Sequence, residues 1–396
     1  MRLVCVTLIL AMLGVTTARA EAPAVLLNTP KLPAIAAPAT EELDAALDRG
    51  IGYLLGKQNA DGSWGSARRT KGLNIYAPVP GAHQAFRAAV TSLCLSALCE
   101  AERFADRKDE RITQSIDRGQ VWLFEHLPHV RRATPDAIYN VWTHGYSLTA
   151  LVYLAERKPD DAELQTKIRE LIAQQLDLLG RYETVDGGWG YYDFEVGAKR
   201  PTCDSTSFVS GAILTAMHDL KRLGIEPPAP LVKRAMDSLH RQRRPDFAYL
   251  YGEQFQFRTG VDINDPGGSL GRSQCCNIAM RLWGDETVTD PIMRAWLDRL
   301  FARNGWLSIG RKRPVPHESW FLVAGYFYYF GHYYAALCVE ALPAAERPEY
   351  QAHLARTLLD LQEKDGSWWD YPFYDYHQPY GTAFALMSLY RCRAAK

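Results

Sequence analysis

The chain has no excess of either charge. Its 396 residues carry 45 Lys and Arg against 45 Asp and Glu. That balance gives no broad basic face for nucleic acid and no strong pull toward an anionic membrane. Beyond residue 20 no apolar run is long enough to span a bilayer. No C-x-x-C pair occurs, so no thiolate metal framework organises the fold. Nothing reads as a ladder of alternating strand residues, which leaves helices to build the core. The hydrophobic content of 47% supports a sizeable one.

The first 20 residues have the character of a secretory signal. Arg2 gives a positive start, Leu3 to Val15 is a short apolar stretch, and Ala18-Arg19-Ala20 has the pattern of a cleavage site. The expectation is an exported protein, periplasmic or secreted. Residues 21–40, rich in Ala and Pro, read as a flexible lead-in, and 41–396 as one domain. Seven cysteines would remain: Cys94, Cys99, Cys203, Cys275, Cys276, Cys338 and Cys392. Most sit in apolar helical runs, where Cys acts as a small hydrophobe, so few or no disulfides are expected.

A repeat is present. Arg49 to Gly65 contains Gln58, Asp61, Gly62 and Trp64; Leu354 to Trp369 repeats it with Gln362, Asp365, Gly366 and Trp368 in step. Leu171 to Gly190 reads as a third copy stretched by a short insertion, and Arg303-Asn304-Gly305-Trp306 as a worn fourth. One such unit cannot bury its own apolar face, so the units must stack. The Gly of each turn supplies positive φ. The Asp bonds back to nearby backbone. The Trp fills the gap between hairpins, and Gln58 or Gln362 caps a helix end.

Two kinds of helix alternate. Segments 41–57, 110–127, 161–181, 229–242, 288–303 and 345–362 are amphipathic, with one wet face. Between them lie 89–103, 143–157, 206–223, 273–283, 331–342 and 381–393, which are apolar nearly all round and must be buried. The fold class is therefore all-α. Six hairpins closing on themselves give an (α/α)6 toroid, with six apolar helices inside six amphipathic ones.

The turns at 49–65 and 354–369 resemble the QW motif of squalene cyclases and of protein prenyltransferase β-subunits. The resemblance covers residues 41 to 393 and implies the same toroid. The helix starts Trp142-Thr143-His144-Gly145-Tyr146 and Tyr329-Phe330-Gly331-His332-Tyr333 look like those of an exported cyclase-like branch. Triterpene cyclases hold substrate between two toroids, and this chain has length for one.

Loops entering the inner helices of such a ring converge on one mouth. That places Tyr139, Trp142, Tyr192, Cys276, Tyr329, Tyr333 and Tyr380 as candidates to line an aromatic cavity. Asp204-Ser205-Thr206-Ser207 looks like the Asp-x-Thr-Ala segment that carries the proton donor of oxidosqualene cyclases, which makes Asp204 the candidate acid. The acid run D-x-D-D of squalene-hopene cyclases is absent, and Asp204 also has the sequence setting of a helix N-cap. His144, at an inner-helix start, is the candidate acid–base partner. Asp375-Tyr376-His377 looks like the zinc-binding D-x-Y-H segment of prenyltransferases. With His332 it offers the set His332, His377 and Asp375 for zinc. Phe330 and His332 replace the Asp and Cys ligands of that family, and no D-D-x-x-D run is present for magnesium diphosphate, so no cofactor other than zinc is in prospect.

Three functions compete at this point: a cyclase-like protein holding an apolar, isoprenoid-like ligand; a non-catalytic interaction scaffold; and a carbohydrate-active enzyme on the same barrel, which would need paired carboxylates.

Overall fold

The computed structural model describes residue 26 and residues 29–71, 80–104, 109–193, 201, 205–258 and 260–393. Residues 1–20 and Asp204 lie outside the described residues.

Helices pair into six hairpins. They are α1 (Thr40–Lys57) with α2 (Gly81–Phe104), α3 (Glu110–His126) with α4 (Asn140–Arg157), and α5 (Ala162–Tyr182) with α6 (Ser207–Asp219). The second half has α7 (Ala229–Gln242) with α8 (Leu270–Leu282), then α9 (Asp290–Ala302), the short α10 (Asn304–Ser308) and α11 (Phe327–Glu340), and finally α12 (Arg347–Leu359) with α13 (His377–Tyr390). Among the described residues short 3-10 turns and isolated β-bridges accompany them, with no strand. Several outer helices start where sequence chemistry says they should. The Asp109 carboxylate accepts the Arg111 N–H, Asp161 accepts the Leu164 N–H at 3.0 Å, and α7, α9 and α12 carry Pro in the first turn.

The inner helices pack in the order α2, α4, α6, α8, α11, α13, and α13 returns to α2. The ring is closed, and the protein is an (α/α)6 toroid. Close approach depends on small residues. A Cβ added to Gly331 would lie 2.6 Å from the Gly271 Cα, so α8 and α11 cross backbone to backbone there. The six described cysteines are free thiols, five of them buried. Cys94, Cys275 and Cys338 aim their sulfurs at carbonyls of a neighbouring inner helix.

The repeated turn is a joint between outer helices. The Trp64 indole N–H donates to the Leu54 carbonyl at 2.8 Å, and its backbone N–H donates to the Thr91 hydroxyl at 3.1 Å. Trp368 does the same with Leu358 and Thr382, at 2.8 and 3.0 Å. The glutamine does not cap its own helix. The Gln58 amide N–H2 donates to the Gly62 carbonyl and across to the Ser115 carbonyl of α3, both at 2.8 Å. Gln362 likewise reaches the Ala46 carbonyl of α1 at 2.9 Å, which ties the last turn to the first helix. In these two copies the tip is built for glycine. Gly366 has φ 88°, and a Cβ on it would sit 2.5 Å from the Arg49 carbonyl oxygen.

Two expectations about the repeats need correction. The third copy has no insertion. Trp189 donates to the Leu179 carbonyl at 2.9 Å, ten residues back as in the other two. Glu183 stands where the others have Gln, and it pairs with Arg234 of the next outer helix through two 2.7 Å bonds. The fourth copy is not at 303–306. Those residues start α10, Gly305 has no positive φ, and Trp306 is 39% exposed. The real fourth turn is Arg244 to Tyr249. The Arg244 N–H donates to the Ala248 carbonyl at 2.8 Å, as Asn59 does to Ser63, and the Asp246 carboxylate accepts the Ala248 N–H at 3.1 Å, as Asp61 accepts that of Ser63. Phe247, at φ 62°, takes the glycine place. Tyr249 takes the Trp place, with its N–H on the Ser273 hydroxyl.

All six inner helices run from the mouth toward the opposite end. There the buried Glu100 carboxylate meets Arg391 at 2.7 Å and accepts from the Tyr153 hydroxyl, so a polar cluster closes the base of the barrel.

Candidate functional site

The centre of the toroid holds a cavity of about 550 Å³. That size suits one small molecule rather than a polymer. Its walls are aromatic: Phe86 from α2, Trp142 and Tyr146 from α4, Phe208 from α6, Phe327 and Phe330 from α11, and Tyr380 from α13. Helix α8 contributes no lining residue. Packing of Gly211 on Cys275 and of Gly271 on the Phe327 backbone holds α8 behind its neighbours.

Tyrosine hydroxyls ring the mouth and bond to one another. The order is fixed from one end. His317 Nδ1 lies 2.7 Å from the Leu322 carbonyl, which can only accept, so Nδ1 carries the proton and Nε2 accepts. The Tyr326 hydroxyl therefore donates to Nε2 at 3.0 Å, the Tyr251 hydroxyl to Tyr326 at 3.1 Å, and the Tyr191 hydroxyl to Tyr251. Burial holds the His317 pKa below its usual value, so the neutral form that this chain needs is the stable one. Tyr139 and Tyr192 form a second hydroxyl pair. These hydroxyls are already partnered.

Two polar groups in the wall are different. Asp370 is 1% exposed and lines the cavity. One carboxylate oxygen accepts the Tyr329 N–H at 3.0 Å. Burial pushes its pKa up to about 7, against the pull of that N–H and of Arg311. His377 is 2% exposed, lines the same cavity, and packs edge-on to Trp369 with centroids 5.2 Å apart. Neither of its ring nitrogens has a hydrogen-bond partner of normal geometry. Burial lowers its pKa to about 4, with the Tyr374 backbone opposing.

Of the expected cavity residues, Tyr139, Trp142, Tyr192 and Tyr380 line it. Cys276 and Tyr329 are buried between helices, and Tyr333 faces a minor crevice instead. His144 does not reach the cavity. It is wedged toward the outer layer, with Nδ1 donating to Gln175 at 2.7 Å and Nε2 accepting from Asn140 at 3.1 Å. His332 is placed the same way. Its Nδ1 donates to the Tyr328 carbonyl at 2.7 Å, and its Nε2 accepts from Asn304 at 2.9 Å. Asp375 accepts from the Ser66 hydroxyl at 3.0 Å and lines no cavity. The zinc set is therefore not assembled: among the described residues no three His, Cys, Asp or Glu come together as metal ligands. The residue that sequence reasoning missed is Asp370. The available signal was its position, two residues after the Trp of a well-formed turn.

Among the described residues no helix is long and apolar enough to cross a membrane. No family model and no curated protein matches the chain. Solved structures do. The chain overlays an unsaturated glucuronyl hydrolase from Bacillus sp. GL1 with TM-score 0.54 at 12% identity, covering 88% of this chain and 96% of that one. An α-1,6-mannanase from Salegentibacter sp. HEL1_6 gives 0.54 at 11%, covering 88% and 98%. A type II terpene cyclase, MstE, from Scytonema gives 0.48 at 15%, covering 89% and 98%. At these identities the likeness is one of fold.

Proposed function

We propose that the toroid holds an apolar, isoprenoid-like small molecule in its central cavity. The observation that carries this reading is the wall itself: aromatic side chains from five of the six inner helices around about 550 Å³. The QW-like turns agree with it. Within the same reading Asp370 is the proton donor, because a carboxyl group with a pKa of about 7 keeps a proton near neutral pH. A lone carboxylic acid of that strength can protonate an oxygen; it cannot protonate a bare alkene. Asp204 stays the candidate drawn from the motif alone.

The glycan reading fares worse. Hydrolysis of a glycosidic bond ordinarily takes two carboxyl groups. Among the described residues the cavity is lined by one, Asp370.

The test is lipid extraction from purified protein followed by mass spectrometry, with Asp370→Asn and Asp204→Asn in parallel. An isoprenoid-like lipid retained in stoichiometric amount is expected. Asp370→Asn should keep the lipid and lose turnover on oxygenated polyprenyl substrates. Protein that never retains lipid above a control would remove the cavity reading. Identical products from wild type and Asp370→Asn would remove the acid.

A further inference from the structure

The polar groups of the cavity wall are unevenly provided for. The hydroxyls of Tyr139, Tyr191, Tyr192, Tyr251 and Tyr326 bond to each other or to His317, and that of Tyr380 donates to the Tyr326 carbonyl. Neither ring nitrogen of His377 has a hydrogen-bond partner of normal geometry, with only the Tyr374 backbone near, although the residue is 2% exposed. A buried donor or acceptor left unpaired costs about 1–3 kcal/mol. Other buried side chains, Asn140, Gln274 and Asn277 among them, also keep an unpartnered atom, but of the described residues in that position only His377 lines the cavity. His377 faces the same space as Asp370, and both come from the short stretch that leads from the last turn into α13.

We infer that the ligand is not a plain hydrocarbon but an alcohol, with its hydroxyl seated at His377 and Asp370 and its hydrocarbon body against Trp142, Phe208 and Phe330. This inference rests on the isoprenoid reading above. A neutral imidazole offers one donor and one acceptor, and a hydroxyl can meet either. A charged head does not fit. Among the described residues no Lys or Arg lines the cavity, so a phosphate or carboxylate would be desolvated beside a carboxyl group with no counter-charge. A hydrocarbon would leave His377 as it is.

The experiment compares three probes on one carbon skeleton: farnesol, farnesene and farnesyl diphosphate. Each is titrated into lipid-stripped protein and followed by calorimetry. Farnesol is expected to bind at least tenfold more tightly than either of the others. In His377→Leu that preference should fall to about onefold, while farnesene binds as before. Equal binding of farnesol and farnesene by the wild type overturns the inference and leaves the cavity reading standing. So does a preference that survives in His377→Leu. Tightest binding of the diphosphate also overturns it. If none of the three binds, the isoprenoid reading falls and the alcohol with it. The wild-type titration decides alone should the variant fail to fold.

Discussion

Three buried histidines stand at the entrances of inner helices, and the molecule treats them in two ways. His144 and His332 turn toward the outer layer, and each has both ring nitrogens bonded, to Gln175 and Asn140 in one case and to Tyr328 and Asn304 in the other. His377 turns inward and has neither nitrogen in a hydrogen bond of normal geometry. The same contrast holds more widely. In the three seams that keep the Trp, the turn residues bond to one another and to their neighbours, down to the indole N–H of Trp64, Trp189 and Trp368. In the cavity, hydrogen-bonding capacity is left over. Saturated polar groups are what a scaffold needs, and spare ones are what a ligand needs. The seam gives the toroid its rigidity; the centre gives it a vacancy shaped by aromatics.

The sharpest way to break that division is to cut one residue on each side of it. Trp368 is fully buried, anchors the turn that ties α12 to α1, and packs against Gly50. Trp368→Ala is expected to lose about 3–5 kcal/mol of stability, the usual cost of emptying a large packed site. Trp142→Ala only enlarges a space that the fold already keeps open, and it should cost less than half as much. Chemical denaturation of both variants measures the difference. A cavity variant as damaging as the seam variant would mean that the centre is ordinary core.

The seam was easier to read in the sequence than the centre, and the reason is geometric. The twelve-helix ring was legible because burial all round and burial on one stripe leave different periodicities, and the structure reproduces both sets of helices to within a few residues at most ends. Turn copies were legible only where Gln, Gly and Trp were all kept. Glu183 hid the register of one, and Phe247 with Tyr249 hid another altogether. For the cavity, position along a helix was visible but rotation about its axis was not. Side chains advance about 100° per residue, so His144 points about 200° away from Trp142 while Tyr146 returns to the same side. Phe330 and His332 differ in the same way. Helix entrances taken as one polar group therefore mix inward and outward residues, and in the sequence Asp370 is indistinguishable from the tail of a turn.

The histidines supply the second test. Replacing His332 with Leu strands the Asn304 amide, and His144→Leu strands Gln175 and Asn140. Each should cost about 1–3 kcal/mol. His377→Leu strands no side-chain partner, so its melting temperature should match or exceed that of the wild type. A loss at His377 as large as at His332 would show that His377 already has a partner, and the contrast between the regions would close.

The smallest expected effect concerns Asp370, and its direction can be worked out. Its folded pKa is about 7, above the ordinary carboxylate value of about 3.9 in an unfolded chain. The folded state therefore holds this proton more tightly. The stability it contributes is complete below pH of about 4 and is lost as pH rises through 7, where the unfolded chain is free to ionise and the buried carboxyl is not. Asparagine cannot ionise in either state. The melting temperature of Asp370→Asn minus that of the wild type should thus be near its minimum at pH 4.5 and rise by a few degrees by pH 8. The subtraction matters because His144, His332 and His377, with pKa values lowered to about 4 by burial, drive stability the opposite way over the same range and would mask the effect in the wild type alone. A flat difference would mean that the carboxylate is charged and solvated at neutral pH. The centre would then be wet, Asp370 could not serve as an acid there, and the spare nitrogens of His377 would be answered by water.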